Sequence, residues 1–260
     1  MSAVHRIIDP TFVDSSTNEK CALAVMTKAP RAGHVKTRLV PPLTYEEAAR
    51  LNSCFLRDTT CAIADACGAQ ALGVAVYTPV GAENTYHDIL PNEFELLAQR
   101  GEGFGERLIN AANDLFRIGF ASVCLIDSDS PTVATEIYAR AIQLLSKKDE
   151  LTVLGPSDDG GYYLIGMKEV HPDLFQAIDW STERVLEQTQ RRAASLALEV
   201  ELLPACYDVD DRATLRRLCE DLLGKEAKQG VAPRTQEFLR AIVGKEGRDR
   251  IWPQTIETDC

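Results

Sequence analysis

The chain has 260 residues, of which 45% are hydrophobic and 26% are charged, and its formal net charge at pH 7 is −11. This size and composition predict one large domain with a substantial buried core. The acidic balance argues against a surface for nucleic acid or anionic lipid, so any site for a phosphorylated ligand must be a local cluster of positive charge. We expect no signal peptide and no membrane span, because no apolar run is long enough for either.

The eight cysteines are scattered along the chain, mostly inside apolar segments, and no CxxC pair occurs. The four histidines do not cluster beside them. This arrangement is typical of reduced, largely buried thiols in a cytoplasmic protein rather than of a structural zinc site.

Strand and helix signals alternate along most of the chain. Their order predicts an α/β fold, a three-layer sandwich in which helices cover both faces of a mostly parallel central sheet. Two strand signals that flank a turn at 155–161 predict an antiparallel addition to that sheet. We expect a loose N-terminal extension at 1–19, a single domain at 20–243 and a C-terminal tail at 244–260. Strands are predicted at 21–27, 72–77, 94–98, 123–126, 151–154, 162–165 and 196–203, and helices at 45–67, 104–118, 133–145, 183–192, 212–223 and 235–243.

The loop after the first strand, residues 28–39, is dense in positive charge. It holds four lysine or arginine residues, and no acidic residue follows it until Glu46. Such side chains suit phosphate oxygens, and a glycine within the loop permits close backbone approach, although the glycine spacing is not that of a Walker A loop. The alternative is an ordinary solvated basic loop. The predicted phosphate-binding residues are Lys28, Arg31, Gly33, Lys36, Thr37 and Arg38.

Two carboxylates follow the strand predicted at 123–126. Asp127 and Asp129 are two positions apart, so they would leave the same face of an extended chain. Adjacent carboxylates resist joint ionisation unless a cation lies between them, and Mg²⁺ or Mn²⁺ is the natural partner. Ligands of open α/β sheets bind beyond the carboxyl ends of strands, where this pair is expected. Alternatively, Asp129 caps the helix that begins near Pro131 and Asp127 is a solvated strand end.

Two later turns add further acidic residues. Asp159 lies between two predicted strands and could hold a sugar hydroxyl or activate an acceptor, with Gly161 leaving room for the ligand. The alternative is a plain hairpin turn. Asp208 and Asp210 share a face if their segment is extended, so they could complete a metal site that begins at Asp129. The alternative is that one of Asp210 and Asp211 is the N-cap of the following helix.

A glycine-rich segment at 101–105 opens a predicted helix but lacks the spacing of a dinucleotide-binding fingerprint. Arg107, one turn into that helix, could reach a ligand. A surface salt bridge is the alternative for this arginine.

Six motifs occur in order along the chain: Lys28-x-Pro30-x-x-Gly33-x-x-Lys36-Thr37-Arg38-Leu39, Gly105-Glu106-Arg107, Ser128-Asp129-Ser130-Pro131, Gly155-Pro156-x-x-Asp159-Gly160-Gly161-Tyr162-Tyr163-Leu164-Ile165-Gly166, Trp180-Ser181-Thr182 and Asp208-Val209-Asp210. Together they resemble the bacterial nucleotide-diphospho-sugar transferase-like proteins of the glycosyltransferase-A superfamily, which are mostly of unassigned function. More distantly, the pattern is similar to enzymes that guanylate molybdopterin or phospholactate. The family usually has glycine where this chain has Asp127.

The resemblance implies the fold, a nucleotide-binding first half and a metal-binding aspartate at Asp129. The leading hypothesis is a transferase, dependent on Mg²⁺ or Mn²⁺, that moves a sugar from an NDP-sugar to a small-molecule acceptor. One alternative is nucleotidyl transfer, in which a phosphorylated acceptor attacks an NTP and pyrophosphate leaves. Another is a non-catalytic nucleotide-binding regulator.

The candidate site residues fall into four groups by the role we expect of them. We expect a nucleotide or NDP-sugar and an acceptor as partners, no nucleic acid, and an assembly compatible with a homodimer. The candidates are Asp159 and Lys36 for catalysis; Lys28, Arg31, Gly33, Lys36, Thr37, Arg38 and Arg107 for the nucleotide; Asp127, Asp129, Asp208 and Asp210 for the metal; and Gly160, Gly161, Tyr162 and Trp180 for the acceptor.

Overall fold

The computed structural model of the chain describes residues 5–147, 150–227 and 230–252. Seven strands form one sheet in the order β3-β2-β1-β4-β6-β5-β7. Only β6 runs antiparallel to its neighbours, while the other paired strands are parallel. The predicted α/β architecture with a mostly parallel sheet is therefore confirmed. The strands are β1 Cys21–Lys28, β2 Ala71–Thr78, β3 Glu95–Ala98, β4 Ser122–Ile126, β5 Leu151–Pro156, β6 Tyr162–Met167 and β7 Glu199–Leu202.

Six α-helices of the described chain surround the sheet. Two clusters of buried apolar side chains lie on the opposite faces of the sheet, one packed against α1 and α3 and the other against α2 and α4. A third cluster joins α1 to α5 and α6. The helices are α1 Tyr45–Cys67, α2 Phe104–Ile118, α3 Thr135–Lys147, α4 Val185–Ser195, α5 Arg212–Leu223 and α6 Pro233–Glu246.

Helix α1 begins where a local sequence signal predicts that it should. The Thr44 side chain accepts a hydrogen bond from the Glu47 backbone N–H at 3.2 Å, and the Glu47 carboxylate accepts one from the Thr44 N–H at 2.8 Å. This reciprocal capping satisfies two N–H groups that the first turn leaves without helical partners. None of the described helices is long and apolar enough to cross a membrane.

The strand directions bring four loops to the same edge of the sheet. β1 and β4 are parallel neighbours, so the segments after Lys28 and Ile126 leave at their shared carboxyl ends. Because β6 is antiparallel, its first residue, Tyr162, lies at that edge too. An isolated bridge between Ser157 and Cys206 brings in the segment after β7. The loops that contain the sequence motifs follow different strands, and they meet at this edge of the sheet.

Both chain ends differ from expectation where the structure describes them. Residues 5–19 pack onto the sheet rather than forming a loose extension: Ile7 bridges Leu96 of the edge strand β3, and His5 is buried. At the other end, α6 continues to Glu246, and Trp252 is buried in the third apolar cluster. The predicted tail is thus packed as far as residue 252, while residues 1–4 and 253–260 lie outside the described part. Edge-strand pairing and a buried tryptophan explain this packing.

Candidate active site

The centre of the site is Lys36, whose side chain is only 5% exposed. Its Nζ lies 2.8 Å from Asp129 Oδ1 and donates hydrogen bonds to Asp210 Oδ1 at 2.8 Å and to the Val209 carbonyl at 2.9 Å. The Phe55 ring centroid is 5.6 Å from the same nitrogen. Burial by itself lowers the pKa of Lys36, but the two carboxylates outweigh it and raise the pKa above its ordinary value. Lys36 is therefore a buried, charged ammonium.

The backbone positions Lys36 by an uncommon conformation. Its φ is +48°, in the left-handed region, and its carbonyl accepts the Leu39 N–H at 3.0 Å to start a 3₁₀ turn at Thr37–Leu39. A non-glycine residue in this region is strained unless its surroundings hold it there. The ion pairs with Asp129 and Asp210 supply that restraint, and a backbone bond from Val209 N–H to the Asp129 carbonyl at 3.0 Å joins the two acidic segments.

A cleft of about 260 Å³ opens beside this cluster. One wall comes from the basic loop and carries Lys28, Lys36, Thr37 and Arg38, with His34 at its rim. The other wall carries Ser128, Asp129 and Asp210, and α1 contributes Asn52. Among the described residues, Lys28, Arg31 and Arg38 form no salt bridge. Lys28 and Arg38 line the cleft, whereas Arg31 and Gly33 do not. The cleft thus offers unpaired positive charge beside a paired lysine.

Asp127 has a hydrogen-bond partner of its own in the turn after β4. β4 ends at Ile126, so the extended geometry that would aim both side chains at one point does not continue. Asp127 Oδ2 accepts a hydrogen bond from Ser130 Oγ at 2.8 Å, and its Oδ1 lies 3.4 Å from the Asp129 N–H. Burial, followed by the nearby charge of Asp129, raises the pKa of Asp127 well above its ordinary value. Its contacts are those of a side chain that closes the turn after β4.

Asp208 connects the lysine cluster to the 157–161 turn. Its Oδ1 accepts a hydrogen bond from Ser157 Oγ at 3.1 Å. Burial, then the charges of Asp159 and Asp210, raise its pKa, so both of those carboxylates are near it. Asp159 itself accepts the Gly161 N–H at 2.8 Å within the turn. Asp159, the candidate for activating the acceptor, therefore lies near Asp208, but it does not line the described cleft.

Gly160 anchors this turn against the segment before α4. Its φ is +86°, its carbonyl accepts the Leu186 N–H at 2.8 Å, and a Cβ at this position would meet the Glu183 carbonyl oxygen at 2.2 Å. Only glycine fits such a backbone and such a contact.

The remaining candidates lie apart from the cleft. The hydroxyl of Tyr162 is buried, and Trp180 makes an edge contact with the half-exposed Phe104 ring, with 5.0 Å between centroids. Arg107 donates to the Glu102 carbonyl at 2.9 Å and to the Gly101 carbonyl at 3.2 Å. These bonds close its own glycine-rich loop, and no described carboxylate forms a salt bridge with it. Its contact with a ligand stays a prediction.

Sequence reasoning missed Asn52. This residue is 5% exposed, lines the cleft and has no hydrogen-bond partner for its carboxamide among the described residues. In the sequence, Asn52 could have been noticed as a polar residue on the apolar face of α1, one turn before Phe55.

The four predicted metal ligands do not form one ligand set. Among residues 5–147, 150–227 and 230–252, no group of three or more histidine, cysteine or acidic side chains has the arrangement of a metal site. Asp129 and Asp210 nevertheless hold one cation between them, the Lys36 ammonium. Two carboxylates fit the usual protein contribution to a Mg²⁺ site, in which phosphates and waters supply the other ligands.

A solved structure from Desulfovibrio desulfuricans G20, provisionally named a nucleotide-diphospho-sugar transferase, is 30% identical, and the match covers 87% of this chain and 96% of that one with a TM-score of 0.76. The chain belongs to this nucleotide-diphospho-sugar transferase-like family. Residues 63–182 also match the family described as "Uncharacterized protein conserved in bacteria (DUF2064)".

A second solved structure is much more distant. A cytidylyltransferase from Leptospira borgpetersenii serovar Hardjo-bovis is 11% identical, covers 92% of this chain and 99% of its own, and has a TM-score of 0.49. Among curated proteins, none matches the chain significantly. Membership of the family therefore depends on the Desulfovibrio structure, and it agrees with the resemblance seen in the sequence.

Proposed function

We propose that this protein is a nucleotide-dependent transferase that moves a sugar from an NDP-sugar to a small-molecule acceptor. The observation that carries the proposal is the position of Lys36, buried between Asp129 and Asp210 at the wall of a cleft with unpaired cations. The name given to the Desulfovibrio protein supports the same class of donor. In a chain with a net charge of −11, such a concentration of positive charge favours a phosphorylated ligand.

Lys28 and Arg38 are the residues that bind the diphosphate. Both side chains line the cleft, and neither forms a salt bridge with a described carboxylate. A guanidinium can grip phosphate oxygens in a bidentate manner, while an ammonium acts as a point charge. Fixed cations stabilise the negative charge that grows on a departing diphosphate, and they need no reorganisation during the reaction.

Lys36 has a different role from the other cations. Two hydrogen bonds and one further ion pair already occupy its ammonium, so it orders the two acidic segments. One positive charge between two carboxylates leaves a net negative charge beside the phosphate site. Asp129 and Asp210 are the residues that would hold a divalent cation together with the nucleotide, and its charge would offset theirs. When bound, it would neutralise phosphate charge in the leaving group.

In the proposed transfer, an acceptor hydroxyl forms a bond to the anomeric carbon of the donor sugar. The bond between that carbon and the phosphate oxygen breaks, and its electron pair leaves with the nucleoside diphosphate. The hydroxyl proton passes to a carboxylate, for which Asp159 is the candidate, since Gly161 occupies only one of its oxygens.

Nucleotidyl transfer is the second candidate function, because the basic loop carries more cations than a diphosphate requires. Arg31 is exposed on the same loop as Lys28 and Arg38 but outside the cleft, where a longer phosphate chain could reach it. The two functions release different products, namely a nucleoside diphosphate or pyrophosphate.

The test is a calorimetric titration of the purified protein with NDP-sugars and NTPs, with and without Mn²⁺, followed by product analysis. Arg38→Gln should weaken binding of every diphosphate ligand by about tenfold or more, as expected for loss of a charged hydrogen bond. Arg191→Gln is the matched control, since that side chain is 73% exposed on α4. Asp129→Asn should remove the Mn²⁺-dependent gain in affinity.

Three results would count against the proposal. If Arg38→Gln and Arg191→Gln changed ligand affinity equally, the cleft would not be the binding site. Pyrophosphate as the released product would establish nucleotidyl transfer instead. Tight nucleotide binding with neither product formed would favour the non-catalytic regulator.

A further inference from the structure

Asn52 is a buried polar side chain that the fold leaves without a partner. It is 5% exposed, and no described residue accepts from or donates to its carboxamide. Neither the oxygen nor the nitrogen of this carboxamide is among the fully buried polar atoms that lack a partner, so the group reaches the space of the cleft. Polar groups in or beside a protein interior nearly always have a hydrogen-bond partner, and for Asn52 that partner has to come from the cleft.

The carboxamide lines the cleft of the proposed site. Asn52 is one turn before Phe55 on the inward face of α1, and the Phe55 ring lies near the Lys36 ammonium. Asn52 and Lys36 are thus both part of the cleft wall. The missing hydrogen-bond partner therefore belongs to whatever fills the cleft.

The chemistry of the neighbours indicates what that partner is. Phosphate offers acceptors only, and Lys28 and Arg38 already provide charged donors for it. A carboxamide has two N–H donors and one carbonyl acceptor, so a phosphate oxygen would leave the acceptor unused. A hydroxyl or the edge of a nucleobase presents a donor and an acceptor side by side, and it can satisfy both halves of the amide.

We infer that Asn52 is a specificity-determining residue that hydrogen-bonds a neutral group, a sugar hydroxyl or a nucleobase edge, on the phosphorylated ligand bound in the cleft. This inference rests on the proposed function, since it requires a phosphorylated ligand there. Sites built to pair a ligand hydroxyl or amide discriminate strongly against analogues that lack it, because the protein group is then left buried and unpaired.

The test compares the wild-type protein with Asn52→Leu against three kinds of ligand. Pyrophosphate carries phosphate alone, nucleoside diphosphates add ribose and base, and hexose 1-phosphates add a sugar without a nucleoside. Dissociation constants are measured by calorimetry, and the unliganded melting temperature is measured for both proteins. Asn110→Leu is the control, since Asn110 is a half-buried asparagine on α2 that does not line the cleft and whose side chain donates to the Arg100 carbonyl.

We expect Asn52→Leu to bind pyrophosphate within about twofold of wild type and to lose about tenfold or more in affinity for a ligand with the neutral group. The ligand that the variant binds more weakly shows where the neutral group is located, either on the nucleoside or on the donor sugar. The melting temperature without ligand should stay the same or rise, since no protein hydrogen bond is removed. A residue with a purely structural role would not combine higher stability with weaker binding.

Equal losses for pyrophosphate and the larger ligands would mean that Asn52 contacts phosphate, which overturns the inference. Unchanged affinity for all three would overturn it too. Retained pyrophosphate binding shows that the substituted cleft is folded. Failure of the wild-type protein to bind any of the three would overturn the proposed function, and this inference with it.

Discussion

Lys36 donates a hydrogen bond to Asp210 across 174 positions of sequence, with 2.8 Å between Nζ and Oδ1. The Asp129 carboxylate is equally close to the same nitrogen. One buried ammonium therefore joins the loop after β1, the turn after β4 and the segment before α5. This contact organises the candidate site, and the two acidic partners are less buried than the lysine, with 33% and 45% of their side chains exposed.

The unequal burial of these partners predicts an order of stability losses. Lys36→Met leaves two carboxylates that water can still reach, so it should lower the free energy of unfolding by about 1–2 kcal/mol. The double substitution Asp129→Ala/Asp210→Ala leaves a buried ammonium with one carbonyl and should cost about 3–5 kcal/mol. Denaturant titrations of the three proteins measure both changes. A larger loss of unfolding free energy for Lys36→Met than for the double substitution would contradict the prediction that the buried ammonium needs its partners more than they need it.

Gly160→Ala should be far more destabilising than a matched glycine substitution. Gly160 and Gly247 both have φ of +86°, but a Cβ at Gly160 would meet the Glu183 carbonyl oxygen, whereas at Gly247 no described heavy atom lies within 4 Å. Backbone strain alone costs about 1–2 kcal/mol, and the contact adds about 1–3 kcal/mol. Thermal unfolding of the two variants separates these contributions. Similar losses would mean that the 157–161 turn can move away from Glu183.

Asp58 of α1 should prove to be a tertiary cap for α6. Its two carboxylate oxygens accept the backbone N–H groups of Arg234 at 3.0 Å and Thr235 at 2.8 Å, although burial raises the pKa of this aspartate. Asp58→Ala leaves both N–H groups without acceptors and should cost about 1–2 kcal/mol. Asp58→Asn keeps one acceptor and should cost less. Chemical denaturation gives the comparison, and equal losses would show that the side chain acts through packing alone.

The attachment of the N-terminal segment should weaken in acid. Hydrogen bonds from Ser16 and from Arg6 lower the pKa of Asp14 to about 2. A carboxylate with a lowered folded-state pKa stabilises the fold above its unfolded value, near 3.8, and this contribution disappears as the pH falls towards 2. Melting temperatures measured from pH 5 to pH 2 should therefore fall less for Asp14→Asn than for wild type. Parallel curves would contradict this role for Asp14.

Local sequence signals predicted much of the fold. The capping box at Thr44 and Glu47 identified the start of α1, and α2 and α5 occupy the ranges that their apolar periodicity indicates. These features depend on residues within one or two helical turns of each other, and nearby residues can be compared directly in a sequence. The positively charged loop at 28–39 and the acidic turns were visible for the same reason.

Tertiary structure alone decided how those segments combine. The antiparallel direction of β6 brings the 157–161 turn to the edge where the loops after β1 and β4 emerge. Lys36 then pairs with Asp129 and Asp210, while Asp127 bonds to Ser130. Loop conformation is set by such distant contacts and not by local propensity.

By itself, the sequence of this protein determined the order of strands and helices, the family resemblance and the presence of segregated positive and negative segments. The packed chain decided which carboxylates surround Lys36, that Asn52 faces the cleft and that Ile7 pairs with the edge strand β3. The physical reason is range: helix caps and periodicity act between near neighbours, whereas ion pairing, burial and strand addition act between residues that only folding brings together.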